Sequence, residues 1–523
     1  KTTNWAPISI GAILSLAIFV LLTPITFFSF FLFAVYRQLV WVLLKIKHGK
    51  DFYGLLNGAD AFHVVGKAEN VLTISCFMVR CEKYTSEEFY ETFKQMMSKA
   101  NAIEKFKTLV CKSFGYPYLI KQKLDIGKDC VAKMKILECP EKKIDKRQLH
   151  ELLNYHCNVP MPRNGKIPCH VLIGTQPVNW KDDDYNYYPV MFKVHHGVSD
   201  GISLLKAFVA LTGDKLEVDK ETINLSKPTK KEKYNSFGNI LAVINTLLLV
   251  TFLHPSLIVN YFTYKAKDFN ILHNTSLTEQ KLIGIGSEEN GKYVEKIKKI
   301  KQNLPGTAFP TILMTAFSAS LSEYFIKKSL PPPKYITLAI PINVRALDLR
   351  YLTPKDVNID DISLANSYSL ILMKIPIAIE DGDESILPAN KQVINRLRLI
   401  NKEVQMLSNS PEYQINHFFM QVICAVLPQY FIKLILSTMH CTTIASILSA
   451  PPKMMLCNQQ LVITDIIAWI AHVHPTGTSI GIITYDDRLH VGVNVDEAFI
   501  SDRADVQAIA DNIYKYLDVL ERE

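Results

Sequence analysis

No two of the ten cysteines, at positions 76, 81, 111, 130, 139, 157, 169, 424, 441 and 457, stand in a C-x-x-C or at zinc-ligand spacing. In a chain of 523 residues they read as buried thiols of a reducing compartment, so neither a disulfide framework nor a metal site is expected. A strong excess of one charge is also lacking. The net +8 comes mainly from lysine clusters, which suit an anionic bilayer surface or an anionic ligand as well as nucleic acid, and no nucleic-acid-binding module accompanies them. A signal peptide is excluded too, because the apolar stretch near the start is too long for one and lacks the small-residue cleavage site.

What is plentiful is apolar residue, 48% of the chain. Ala6 to Leu44 is an almost unbroken apolar run, about twice as long as one helical crossing needs, so either a spanning helix continues into an interfacial one or Pro24 breaks a pair. Arg37, Lys45, Lys47 and Lys50 flank its end and Lys1 alone precedes it, which puts the remainder of the chain on the cytosolic side. A second run, Phe237 to Tyr264, is interrupted by Asn239, Asn245, His254, Pro255 and Asn260 and reads as an amphipathic segment on the membrane surface or packed along the crossover between lobes. Unglycosylated sequons at Asn224 and Asn274 would agree with a cytosolic placement.

The densest chemistry lies between a strand-like stretch, Tyr187 to Val194, and a helical one, Ile202 to Leu211. The junction reads His195-His196-Gly197-Val198-Ser199-Asp200-Gly201. Its composition would produce H-H-x-x-x-D-G by chance in on the order of one chain in a thousand. An imidazole of near-neutral pKa, a carboxylate four residues on and glycines that permit a tight turn are the equipment of a general base. Nothing in the sequence would activate Ser199 as a nucleophile.

The motif resembles the active-site signature of the CoA-dependent acyltransferase and condensation-domain superfamily, in particular the wax ester synthase/diacylglycerol acyltransferase family. The resemblance implies an α/β (α+β) fold of two chloramphenicol-acetyltransferase-like lobes with mixed sheets and an active-site channel between them. It implies His196 as the base, with His195, Asp200 and Gly201 completing the site. It also implies that Asp200 ion-pairs with an arginine. Ile336 to Asp348, ITLAIPINVRALD, resembles the strand that carries that arginine, which makes Arg345 the partner. Asp60, Ala61 and Phe62 resemble the family's opening segment, and Asn366 its asparagine-led strand over Leu364 to Pro376. Pro168-Cys169-His170, Phe309-Pro310 and Ala450 stand where the family has other residues.

The expected organisation is a membrane anchor over 1–50, a first lobe over 51–225, a crossover over 226–290 and a second lobe over 291–523. Thr85 to Glu88 predicts a capping box and a helix to about Ala100, and Asp145 to His156 a further helix. Leu387 to Met406 and Ile415 to Leu448 read as helical, the latter with no charge but Lys433. Ser479 to Tyr485 and Leu489 to Val495 read as a hairpin about Asp486-Asp487, followed by a helix over Asp502 to Leu520. Tyr293 to Leu304 is an amphipathic helix with a lysine-rich face, on which Lys296 and Lys299, together with Asn366, are candidates to meet a CoA cosubstrate.

Taken with the resemblance, the expectation is a membrane O-acyltransferase of the endoplasmic reticulum. It would use acyl-CoA as cosubstrate, without a bound cofactor, and a long-chain alcohol or diacylglycerol as acceptor. The competing class is a non-catalytic lipid-binding or scaffolding protein on the same fold.

Overall fold

The computed structural model describes residues 10–65, 71–137, 142–163, 165–213, 270–273, 277–288, 291–345, 357–379, 389–437, 441–472 and 476–522. The second apolar run and both sequons lie outside them.

The first apolar run is one helix, Ile10–His48, with Pro24 inside it rather than between two helices. At 1.5 Å per residue its 39 residues extend about 58 Å. It is long and apolar enough to cross a membrane over Pro24–Asp51. Its last third is tied down, because Val40 and Leu44 are fully buried against Phe52, Tyr116 and Tyr118 of a small sheet. That sheet runs Phe52–Leu55, Tyr116–Lys121, Thr108–Ser113, all antiparallel.

Two six-stranded mixed sheets form the body. The first has the order Met455–Leu456, Leu461–Trp469, Leu72–Cys81, Asn186–His195, Cys169–Ile173, Val131–Lys133. The second has the order Tyr368–Pro376, Tyr335–Asn343, Thr443–Ser449, Thr478–Tyr485, Arg488–Asp496, Lys281–Ser287. Two strands pair outside the lobes expected for them from the sequence. Leu461–Trp469, buried at every position, crosses from the second half of the chain to pair with Leu72–Cys81 in the first sheet. Lys281–Ser287, expected in the crossover, is an edge strand of the second sheet beside Arg488–Asp496.

Local chemistry explains most of the elements. Thr85 and Glu88 close a reciprocal capping box at the start of Ser86–Ser98, and Asp145 with Gln148 does the same for Lys146–Asn158. Asp486 and Asp487 both take positive φ, 49° and 56°, as a two-residue hairpin turn requires. Phe309–Lys327 starts with Pro310 in its first turn, where the missing N–H costs nothing, and is packed against Arg503–Glu521 over the second sheet. The stretch expected as helix over Ile415 to Leu448 is divided. Glu412–Phe418, a π-turn at Phe419–Ile423 and Cys424–Val426 end before Pro428, Gln429–Ser437 follows, and Thr443–Ser449 is a strand. A charge-free run fits a buried helix and a buried strand alike, and the β-branched Thr442, Thr443, Ile444 and Ile447 favour the sheet.

Candidate active site

The Asn186–His195 strand delivers the histidines to the junction between the sheets. His195 N–H donates to the Pro168 carbonyl at 2.9 Å and His196 N–H to that of Val71 at 2.8 Å, so the backbone stays paired to the end of the strand. The chain then turns sharply at Gly197. A Cβ there would come within 2.8 Å of Val64 Cγ2 and 3.0 Å of His195 Nδ1, so glycine is needed for packing. Gly201 is less constrained, since a Cβ would meet only Leu448 at 3.7 Å.

The two histidines are placed differently. His195 Nδ1 accepts the Gly197 N–H at 3.0 Å, and the ring faces a small pocket of about 100 Å³ lined in part by Lys112, Lys166 and Ile167. His196 lines a cavity of about 260 Å³ whose walls are mainly apolar, among them Phe106, Phe192, Leu204, Phe208 and Leu370. The cavity draws on both six-stranded sheets, with Thr73, Ser75 and Val194 from the first and Ala339, Ile444 and Ile483 from the second. Burial lowers the His196 pKa from its ordinary 6.5, against an opposing effect of Asp200, its own backbone carbonyl, Asn366 and Asp60. The ring is therefore neutral at pH 7. Its Nδ1 is enclosed without a hydrogen-bond partner.

Asp200 does two things. Oδ1 caps Gly201–Thr212 by accepting the Ser203 N–H at 2.9 Å, and Oδ2 accepts from Arg345 Nη1 at 2.8 Å and from the Ser367 N–H at 2.9 Å. Arg345 also donates to Ser203 Oγ at 3.0 Å, the Ala365 carbonyl at 2.8 Å and the Ser367 carbonyl at 3.2 Å. The guanidinium thus ties the histidine loop to the segment before strand Tyr368–Pro376. Gly197 to Gly201 also spells G-x-S-x-G, the form of a nucleophile elbow. Ser199 does not act as one, because it is fully buried and its Oγ lies against the Asp200 carbonyl at 3.4 Å.

Asn366 acts as a brace. Its N–H and Nδ2 donate to Asp60 Oδ1 at 2.9 and 2.7 Å, and Nδ2 also reaches the His196 carbonyl at 2.6 Å. Asp60 in turn pairs with Lys105 Nζ at 2.8 Å, all three residues being buried. Lys296 and Lys299 stand elsewhere: Lys296 pairs with Asp518 and Glu521, Lys299 with Glu521, and neither lines the cavity.

Sequence reasoning missed His63 and Tyr368. The His63 ring stacks on that of His196 with centroids 3.7 Å apart and planes 19° from parallel, and its Nε2 hydrogen-bonds the Tyr368 hydroxyl. Burial, then the nearby His196 and His195, lowers the His63 pKa well below the usual value, and burial raises that of Tyr368. Both are neutral and both line the cavity. His63 directly follows Asp60-Ala61-Phe62, yet a single histidine outside any pattern gives no signal of its own.

Comparisons with known proteins bear on the fold and the family. No curated protein's sequence matches the chain. Many solved structures share the fold at low identity, three of which follow. Wax ester synthase/diacylglycerol acyltransferase from Marinobacter aquaeolei VT8 is 12% identical, with TM-score 0.55 over 90% of this chain and 99% of that one. Trichothecene 15-O-acetyltransferase from Fusarium sporotrichioides is 13% identical, with TM-score 0.58 over 89% and 94%. The starter condensation domain of rhizomide synthetase, a mutant in complex with C8-CoA, is 9% identical, with TM-score 0.53 over 92% and 97%. Residues 364–521 match the model of the WS/DGAT C-terminal domain. Residues 364–521 thus resemble the C-terminal domain of the wax ester synthase/diacylglycerol acyltransferase family, and nine tenths of the chain shares its fold with a solved enzyme of that name.

Proposed function

We propose that this protein is a membrane-anchored O-acyltransferase that moves a fatty acyl group from acyl-CoA to a lipophilic hydroxyl. The acceptor is a long-chain alcohol, giving a wax ester, or a diacylglycerol, giving a triacylglycerol. The observation that carries the proposal is a neutral histidine, His196, on the wall of a mainly apolar cavity drawn from both sheets. His196 Nε2 takes the proton of the acceptor hydroxyl as that oxygen bonds to the thioester carbonyl carbon. The C–S bond then breaks, and the proton passes to the thiolate to give free CoA and an ester. Tyr368, neutral, lining the cavity and with its ring 6.4 Å from that of His196, is suited to donate to the oxyanion of the intermediate when its hydroxyl accepts from His63 Nε2–H. The helix Ile10–His48 supports anchoring, and Lys45, Lys47 and Lys50 at its end favour the cytosolic side of the endoplasmic reticulum.

The test is release of CoA thiol by purified full-length protein given palmitoyl-CoA and a panel of alcohols and diacylglycerol. Ester should form with at least one long-chain acceptor. Inactivity across the panel would reject the proposal.

A further inference from the structure

The short helix Gln429–Ser437 has one side buried and the other exposed. On its inner side Ile432 and Leu436 are buried in the cluster that contains Phe62, Met420 and Tyr368, and Leu436 lines the cavity itself. On its outer side Tyr430 is 73% exposed, Leu434 54% and Phe431 36%. Phe114, at the hairpin tip alongside, is 50% exposed. The tip and the helix are joined by the Gln429 N–H, which donates to the Gly115 carbonyl at 2.8 Å. Apolar groups exposed this far normally leave water in some assembly.

The surface is continuous with the long apolar helix. The Phe33 ring lies 5.0 Å from that of Phe431. The Tyr116 hydroxyl reaches the Val426 carbonyl at 2.6 Å and the Phe33 carbonyl at 3.4 Å, and the Tyr36 hydroxyl reaches the Phe114 carbonyl at 3.4 Å. Phe33 and Tyr36 fall within the stretch able to cross a bilayer, so whatever surrounds them also reaches Phe431 and Phe114. Composition agrees, since Val422 to Ser437 holds no acidic residue and a single base, Lys433. An aromatic, apolar face with a lysine beside it suits the interfacial layer of a bilayer.

We infer that Phe114, Tyr430, Phe431 and Leu434 form a second membrane contact, continuous with the long helix, and that the lipophilic acceptor passes from the bilayer into the cavity alongside Gln429–Ser437. The contact stands on the surface alone; the portal rests on the acyltransferase reading. An acceptor entering this way keeps its chain out of water between membrane and cavity.

The contact is tested with full-length protein in phosphatidylcholine/phosphatidylserine vesicles doped with a phospholipid carrying a diazirine on its acyl chain. After irradiation and digestion, mass spectrometry should find label on peptides covering 429–437 as well as on the long helix. Label confined to the long helix would overturn the contact. The portal is tested with Leu434→Glu, its folding checked by circular dichroism. KM for a long-chain alcohol dissolved in the vesicles should rise several-fold, while KM for a short water-soluble alcohol stays unchanged. Equal effects on both acceptors would overturn the portal. Complete inactivity of the wild type would reject the acyltransferase and with it the portal, while the labelling would still decide the contact.

Discussion

The ring of His63 lies flat on the ring of His196, 3.7 Å between centroids, and is itself held by Tyr368. His63 comes from the segment after the Gly58–Phe62 helix and Tyr368 from the first strand of the second sheet, so His196 is braced from both halves of the chain. When His196 takes a proton, the new cation rests on the face of a ring that stays neutral because burial holds its pKa well below 6.5. A desolvated cation over an aromatic face gains about 1–2 kcal/mol.

That gain predicts the effect of removing the ring. His63→Ala should lower kcat by about 5- to 30-fold, the rate equivalent of that energy. KM should stay nearly constant, because the contact gains strength only as the proton moves. His63→Phe, which keeps an aromatic face, should lose less. Steady-state kinetics on the two variants checks this.

The pH profile follows from the direction of the His196 shift. Burial lowers its pKa, so the unprotonated base persists below pH 6.5, and the acid limb of kcat/KM should fall with an apparent pKa under that of free histidine. A limb centred above 6.5 would mean a different base.

Stability should depend on acid for a related reason. Burial lowers His156, His170, His195, His472 and His490 to about 4. Above pH 6.5 these groups are neutral folded and unfolded alike and contribute no slope. Between 6.5 and about 4 the unfolded chain binds their protons first, so Tm should drop steadily across that window and proton uptake should accompany unfolding.

Asp60 and Lys105 form a buried pair beside the site, 2.8 Å apart. Asp60→Ala would leave the Lys105 ammonium buried and also free the Asn366 amide that holds the His196 carbonyl. The expected loss is about 3–5 kcal/mol in chemical denaturation, with part recovered in Asp60→Ala/Lys105→Met.

Arg345→Lys should fold and yet turn over far more slowly. A lysine cannot hold Asp200, Ser203, Ala365 and Ser367 at once, as the planar guanidinium does. A drop in kcat with Tm within a few degrees of wild type is the expected outcome.

How much of this was legible in the sequence depended on whether a residue's meaning is local. Thr85 with Glu88, Asp145 with Gln148 and the Asp486-Asp487 turn are local devices and read directly. The histidine junction and Arg345 were legible through resemblance to a family, since a separation of 145 positions between Asp200 and Arg345 leaves no periodic trace. Asp60 and Asn366 were singled out the same way, but their meeting across 306 residues was not. Leu461–Trp469 in the first sheet and Lys281–Ser287 in the second were hidden because strand pairing is set by tertiary contacts, to which hydrophobic pattern is blind. Lys296 and Lys299 were singled out by charge alone, and their carboxylate partners on the last helix were not legible.

The measurement that bears most directly on the account is CoA release from palmitoyl-CoA, in the presence of a productive long-chain acceptor, by wild type and by His196→Ala with matched circular dichroism. The account predicts that the variant keeps its fold and loses at least about 10²-fold in kcat, the usual worth of a general base. Turnover by His196→Ala close to that of wild type would contradict it.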